Sequence, residues 1–218
     1  MQKTYTISKQ FKWDGQISDK SASVMRMFGL SLDRLKDNGR KHNCIVKIRP
    51  GNIVYITGSS GSGKSVIFRQ LYEQFDSQSK INLDDIALPN DRTVIDCIDG
   101  DYFDSINSLC LAGLSDVFNA LEYPHRLSDG QKYRFRLAKA IASGAEAIFA
   151  DEFCSNLDRL TAASVAYKIS QFARKHKKTL VVASSHDDIM REMMPDVIVV
   201  KYTGVDAKTI YKDVREKA

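Results

Sequence analysis

Short unbroken apolar runs alternate with longer amphipathic stretches along this chain of 218 residues. Asn52-Ile53-Val54-Tyr55-Ile56-Thr57, Ala147-Ile148-Phe149-Ala150, Leu180-Val181-Val182-Ala183-Ser184 and Val197-Ile198-Val199-Val200 are the clearest runs, each short and apolar. Runs of this kind read as strands covered on both faces, the condition of a parallel sheet. Between and beside them the 3.6-residue period predicts helices over Lys64 to about Phe75, Asp129–Ser143 and Thr161–Lys177. In the last, Val165, Ile169, Phe172 and Ala173 share a face, while Lys175, His176 and Lys177 suit the negative end of the helix dipole. Strands alternating with helices predict an α/β domain around a mostly parallel central sheet with flanking helices.

The first 50 residues read differently. Thr4–Ile7 and Cys44–Ile48 are β-prone, and a helix is expected over Ser21–Leu35, with Val24, Met27, Phe28 and Leu32 on one face. Asp37-Asn38-Gly39-Arg40 and Pro50-Gly51 are turn signals. Residues 76–126 are the least regular part. They hold the polar run Asp76-Ser77-Gln78-Ser79-Lys80, a break at Leu88-Pro89-Asn90-Asp91, and expected short helices near Thr93–Ile98 and Leu111–Leu121.

Composition bounds the setting. A chain 43% hydrophobic and 27% charged is of globular type. No run approaches the ~18 apolar residues of a membrane span, and Met1-Gln2-Lys3-Thr4-Tyr5 lacks the apolar core of a signal peptide. The expected location is therefore cytoplasmic, and any membrane part of a transport function would be another chain. Cys44, Cys97, Cys110 and Cys154 show neither paired spacing nor histidines in metal spacing, so reduced, mostly buried thiols are expected. The net charge of +5 is uneven: residues 1–50 carry eleven Lys/Arg against four Asp. Such a lobe can attract nucleic acid or an acidic partner, or simply be a solvated surface near a polyanionic ligand.

Candidate chemistry begins directly after the strand that ends at Thr57. Gly58-Ser59-Ser60-Gly61-Ser62-Gly63-Lys64-Ser65 is a full G-x-x-x-x-G-K-S phosphate loop between a strand and a helix. Its glycines let backbone N–H groups point inward around phosphate oxygens, and the helix adds its positive dipole end. Lys64 is expected to reach the β- and γ-phosphates and Ser65 to hold Mg²⁺. Further along, the strand Ala147–Ala150 ends in Asp151-Glu152. A carboxylate at such a strand tip lies beside the phosphates, so Asp151 can hold Mg²⁺ through water while Glu152 polarises the attacking water. Alone, the pair could equally be two surface acids closing a strand.

Leu127-Ser128-Asp129-Gly130-Gln131, just before a helix, resembles the Leu-Ser-Gly-Gly-Gln signature of the ATP-binding-cassette (ABC) ATPases, and Lys132-Tyr133-Arg134-Phe135-Arg136 continues the pattern. Ser155-Asn156-Leu157-Asp158 and His186 match that family's D-loop and switch histidine in order. Taken singly, Ser128 could be an ordinary helix cap and His186 a structural histidine.

The resemblance runs over residues 53–186 and implies a Mg²⁺-dependent ATPase. Two copies would close head to tail over two ATP molecules, each held by one subunit's phosphate loop and the other's Ser128, Gly130 and Gln131, with Asp158 nearby. Glu152 would be general base and His186 a γ-phosphate contact. On this reading the chain divides into a basic N-terminal lobe (1–50), the phosphate loop and its helix (51–75), a reduced helical lobe with the signature (76–143), and the acid pair, D-loop, histidine and last strands (144–218).

Departures from the pattern shape the expected role. Asp129 stands for a signature glycine, and Lys64 and Ser128 are only 64 positions apart, shorter than in transporter subunits. The glutamine loop has no evident counterpart, with Asn90 or Asp91 nearest the expected place; Phe28 is the candidate to stack on adenine, or else a core phenylalanine. Met27-Phe28-Gly29-Leu30, Asp151-Glu152-Phe153-Cys154-Ser155 and Ser185-His186-Asp187-Asp188 resemble a soluble branch whose relatives are joined to a predicted acetyltransferase domain. The leading expectation is thus a soluble ATPase that drives a separate acetyltransferase, another effector protein or nucleic acid. The alternative is the ATP-hydrolysing subunit of a membrane ABC transporter.

Overall fold

A computed structural model describes residues 2–11, 13–37 and 41–212. Asn38, Gly39 and Arg40 of the expected turn lie outside the described residues. The central sheet has six strands in the order β4-β5-β6-β3-β7-β8, formed by β3 (Ile53–Thr57), β4 (Lys80–Asn82), β5 (Ala147–Ala150), β6 (Thr179–Ala183), β7 (Val197–Val200) and β8 (Lys208–Tyr211). All neighbours are parallel except the β7–β8 pair. A separate antiparallel pair, β1 (Lys3–Gln10) and β2 (Lys41–Ile48), forms the N-terminal lobe.

The unbroken apolar runs are explained by two cores. On one face Ile53, Tyr55, Ile148, Ala150, Leu180 and Val182 pack beneath α6 (Asp129–Ala142) and α7 (Arg159–Lys175). On the other, Val54, Ile56, Phe149, Val181 and Ala183 pack against α3 (Lys64–Gln74) and the β1–β2 lobe. Odd and even positions of each strand thus serve opposite cores, which is why no polar alternation shows in the sequence. Phe149 anchors the second core. It is fully buried and meets Phe68, Tyr72 and Phe75 of the α3 region edge-on, with centroids 5.0–5.6 Å apart. Phe75 in turn stacks on Tyr5 at 4.8 Å, seating the N-terminal lobe.

The less regular segments depart from expectation. The single helix expected over Ser21–Leu35 is two, α1 (Asp19–Met27) and α2 (Leu32–Asp37), parted at Gly29, whose φ is +60°. Val24, Met27 and Phe28, expected on one helix face, are exposed, because no second layer covers this insert among the described residues. The helix expected at Leu111–Leu121 is displaced. Asp101 caps α4 (Tyr102–Leu111) and Asp116 caps α5 (Val117–Leu121), with a turn through Gly113 between them. The Thr93–Ile98 segment is only a 3₁₀ turn at Ile95–Cys97. Cys44, Cys97 and Cys154 are buried, and all four thiols are free.

Removing the Phe149 ring leaves a cavity that three rigid aromatic neighbours cannot fill. Phe149→Ala is expected to lower unfolding free energy by about 3–5 kcal/mol, measured by urea denaturation. A loss below about 1 kcal/mol would show that this cluster does not hold α3 to the sheet.

Candidate nucleotide site

Register gathers the site. Ile56 pairs with Ala183, Thr57 with Val200 and Ala150 with Val182, so β3, β5, β6 and β7 end at one edge of the sheet. Gly58, Asp151, Ser184 and Lys201 therefore emerge side by side. In open parallel sheets this carboxyl edge is where ligands sit.

The phosphate loop turns out of β3 through positions only glycine fits. Gly58 has φ +143°, and a Cβ there would lie 2.0 Å from the Lys201 carbonyl oxygen. Gly63, φ +104°, is the N-cap of α3, and a Cβ there would lie 2.2 Å from the His42 ring. Lys64 Nζ donates to the carbonyls of Gly58 and Ser59, both at 2.9 Å, so its ammonium lies across the loop mouth. A cavity of about 580 Å³ opens above, lined by Ser60, Lys64, Ser65, Asp151 and Glu152 among others. Its far wall comes from the N-terminal lobe: Phe11, Trp13, Leu35 and His42.

The acid pair sits on a strained turn. Glu152 (φ +46°) and Cys154 (φ +60°) both occupy the left-handed region, a cost of order 1 kcal/mol or more each for non-glycine residues. The turn is held by three bonds. The Glu152 N–H donates to Asp151 Oδ1 at 3.0 Å, the Phe153 N–H to the Ala183 carbonyl at 2.8 Å, and the Cys154 N–H to the Tyr133 hydroxyl at 3.1 Å. Complete burial holds the Tyr133 phenol well above its ordinary pKa, and burial pushes the Cys154 thiol up to about 12. Tyr133 belongs to α6, the signature helix.

A second hollow of about 500 Å³ joins Ser65, Asp151 and Glu152 to Asp84, Arg136 and Asp129. Asp84 follows β4, whose Asn82 pairs with Phe149 of β5, and so stands beside the acid pair. Burial, and after it the Asp151 charge, raises its carboxyl pKa, opposed by Arg136. Asp84 thus shares a hollow with the acid pair. Asn90 and Asp91, chosen from the sequence, lie in an exposed bend and line neither hollow.

The remaining candidates divide. Ser128 and Gln131 form a capping box at the start of α6: the Ser128 N–H donates to Gln131 Oε1 at 2.8 Å and the Gln131 N–H to Ser128 Oγ at 3.4 Å. Gln131 also donates to Asn119 Oδ1 at 3.0 Å. A Cβ on Gly130 would sit 3.2 Å from the Asn156 carbonyl, so α6 starts tightly against the D-loop segment. Asp158 caps α7, and hydrogen bonds led by the one from Thr161 hold its carboxyl below the usual range. His186 is exposed and lines a different hollow, with Phe153 and Asp188, rather than the phosphate-loop cavity. Its segment is pinned nonetheless: the Tyr55 hydroxyl donates to the His186 carbonyl and the Thr57 hydroxyl to Asp187, each at 2.5 Å. Phe28, chosen as the adenine stack, is 70% exposed and does not line the cavity. The aromatics that do are Phe11 and Trp13.

The donor set fits Mg-ATP. One hydroxyl and one carboxylate at a phosphate cradle suit Mg²⁺, which takes few protein ligands and relies on phosphates and water.

Comparisons with known proteins agree with this geometry. A family described as ABC transporter matches residues 42–100. The dimeric ATP-binding cassette MJ0796, bound to ADP and phosphate, superposes with a TM-score of 0.69 at 18% identity, covering 97% of this chain and 98% of that one. A bacterial Atm1-family ABC exporter with ATP bound gives 0.65 at 18% identity, over 80% of this chain and 36% of the exporter. The methionine import ATP-binding protein MetN of Xanthomonas oryzae pv. oryzae is 28% identical over 194 residues, 73% of this chain and 58% of that protein. MetN 1 of Pseudomonas savastanoi pv. phaseolicola is 38% identical over 88 residues, 40% of this chain and 26% of its own length. The chain therefore spans little more than half of the relatives it matches most extensively. Residues 42–100 resemble the ABC transporter family, and the whole chain has the α/β phosphate-loop fold of an ATP-binding cassette.

Because Gly58 has both a forbidding φ and a backbone neighbour in the way, Gly58→Ala is expected to destabilise the fold and abolish ATP binding. Gly144→Ala, at φ +72° with nothing within 4 Å, should cost only about 1 kcal/mol and leave ATP affinity intact. Thermal unfolding with fluorescent-nucleotide titration separates the two, and equal ATP affinity in both variants would contradict the loop assignment.

Proposed function

We propose that this chain binds Mg-ATP over the phosphate loop, closes head to tail with a second copy, and hydrolyses ATP to energise a membrane transporter. The observation that carries the catalytic part is the meeting of Lys64, Ser65, Asp151 and Glu152 around one cavity.

On binding, Lys64 would exchange the Gly58 and Ser59 carbonyls for β- and γ-phosphate oxygens. Ser65 and Asp151 would hold Mg²⁺, whose charge offsets that developing on the phosphates. Glu152 would take a proton from water as the water oxygen bonds to the γ-phosphorus and the bond to ADP breaks, giving ADP and phosphate. The exposed start of α6, with Ser128 and Gly130, would offer its N-terminal dipole to the γ-phosphate of the nucleotide held by the partner copy. His186 would approach the γ-phosphate only after its turn moves from the neighbouring hollow.

One observation favours a transporter over a soluble effector. The sequence relatives described above are named for methionine import. In addition, α4 and α5 expose Tyr102, Phe103, Val117, Phe118 and Leu121, an apolar surface of the kind a partner covers. No described helix is long and apolar enough to cross a membrane, so the spanning part would be a separate chain or lie outside the described residues.

Lys64→Ala is expected to lose ATP binding. Glu152→Gln should bind ATP, lose at least about a hundredfold in turnover, and accumulate as a dimer on gel filtration. Full turnover by Glu152→Gln would remove it from the catalytic role. Affinity capture from solubilised membranes should return a membrane-spanning partner with wild type and not with Phe118→Asp. Capture of a soluble enzyme, or stimulation of turnover by nucleic acid, would instead favour the effector reading.

A further inference from the structure

One polar side chain in the cavity wall has no part in the mechanism above. His42, on β2, is only 4% exposed. The other buried positions on that strand, Cys44, Val46 and Ile48, are apolar and pack into the core. An imidazole is therefore out of character with the apolar inward positions of the strand.

Its location supplies a reason. The ring fills the space beside Gly63 where a side chain would otherwise be, with Cε1 and Nδ1 2.2 and 2.3 Å from that hypothetical Cβ. Gly63 is the N-cap of α3, where backbone N–H groups face the cavity. On its other side the ring meets Phe11 edge-on, with centroids 5.8 Å apart at 78°. His42 thus bridges the aromatic wall of the cavity and the phosphate loop, and it lines the same cavity as Lys64.

We propose that His42 is a polyphosphate-binding residue: a ring N–H, supplied by the N-terminal lobe, donates to the phosphate chain held over Gly63. The ligand class is a nucleoside di- or triphosphate, and the proposal rests on the cavity being the nucleotide site. The contact ties bound nucleotide to both halves of the molecule, since β2 carries the N-terminal lobe and Gly63 starts the core helix. It also explains why the inward alternation of β2 ends in a polar residue at this position.

The test is isothermal titration of ATP, ADP and inorganic tripolyphosphate into wild type, His42→Phe and Lys64→Ala. Phenylalanine keeps the ring packing against Phe11 and removes the N–H. The expected result is about a tenfold weakening for all three ligands with His42→Phe, the size of one hydrogen bond to a charged group. Wild-type tripolyphosphate affinity in His42→Phe would overturn the proposal. Should that variant fold poorly, ¹⁵N NMR of wild-type imidazoles gives the answer. The His42 ring nitrogens should shift on adding tripolyphosphate, and unchanged resonances at saturation would equally overturn it. Failure of the nucleotide reading is distinguishable, because wild type and Lys64→Ala would then bind ATP alike.

Discussion

The structure depends on the in-register ending of parallel strands at one edge of the sheet. β3, β5, β6 and β7 finish level, so the phosphate loop, the acid pair, the Ser184–Asp188 segment and Lys201 leave the sheet as neighbours. The level edge has a packing cause. Each strand is buried on both faces, and a slip of one residue would exchange the two cores, setting Phe149 against α6 and Ala150 against α3. Hydrophobic packing therefore fixes the positions of groups that do not themselves contribute to it.

A second constraint links the edge to the helical lobe. Tyr133 reaches from the signature helix to the Cys154 N–H, inside a turn where two residues hold left-handed conformations. Strain of this kind persists only where surroundings over-determine the backbone. The same turn presents Glu152 to the cavity, and Gly130 packs on the Asn156 carbonyl close by. Movement of α6 thus cannot leave the acid pair untouched. Such a physical link would let closure against a partner copy be felt at the bond being broken.

Legibility in the sequence followed the strength of the local signal. The core strands and the helices after the phosphate loop and signature were readable because double burial and helical period leave unmistakable patterns, and Gly58–Ser65 because its geometry tolerates so few residues. The helical insert failed because an amphipathic stripe does not say whether a partner covers it; Val24, Met27 and Phe28 are exposed. Phe11 and Trp13 hold the wall because of how a two-stranded lobe folds back over the loop, a long-range fact. Asp84 was missed for a similar reason: β4 is only three residues long, too short to show a period, yet its pairing with β5 sets Asp84 beside the acid pair. Ser128, Gln131 and Asp158, expected from the sequence as nucleotide contacts, make the hydrogen bonds that open α6 and α7.

The central claim is that the catalytic site is completed by a second copy. A crystal structure of the Glu152→Gln protein with Mg-ATP tests it most directly. The account predicts two nucleotides at a two-fold interface, each with its γ-phosphate between Lys64 of one protomer and Ser128 and Gly130 of the other. ATP bound to a lone protomer at saturating nucleotide, with Ser128 facing solvent, would contradict it.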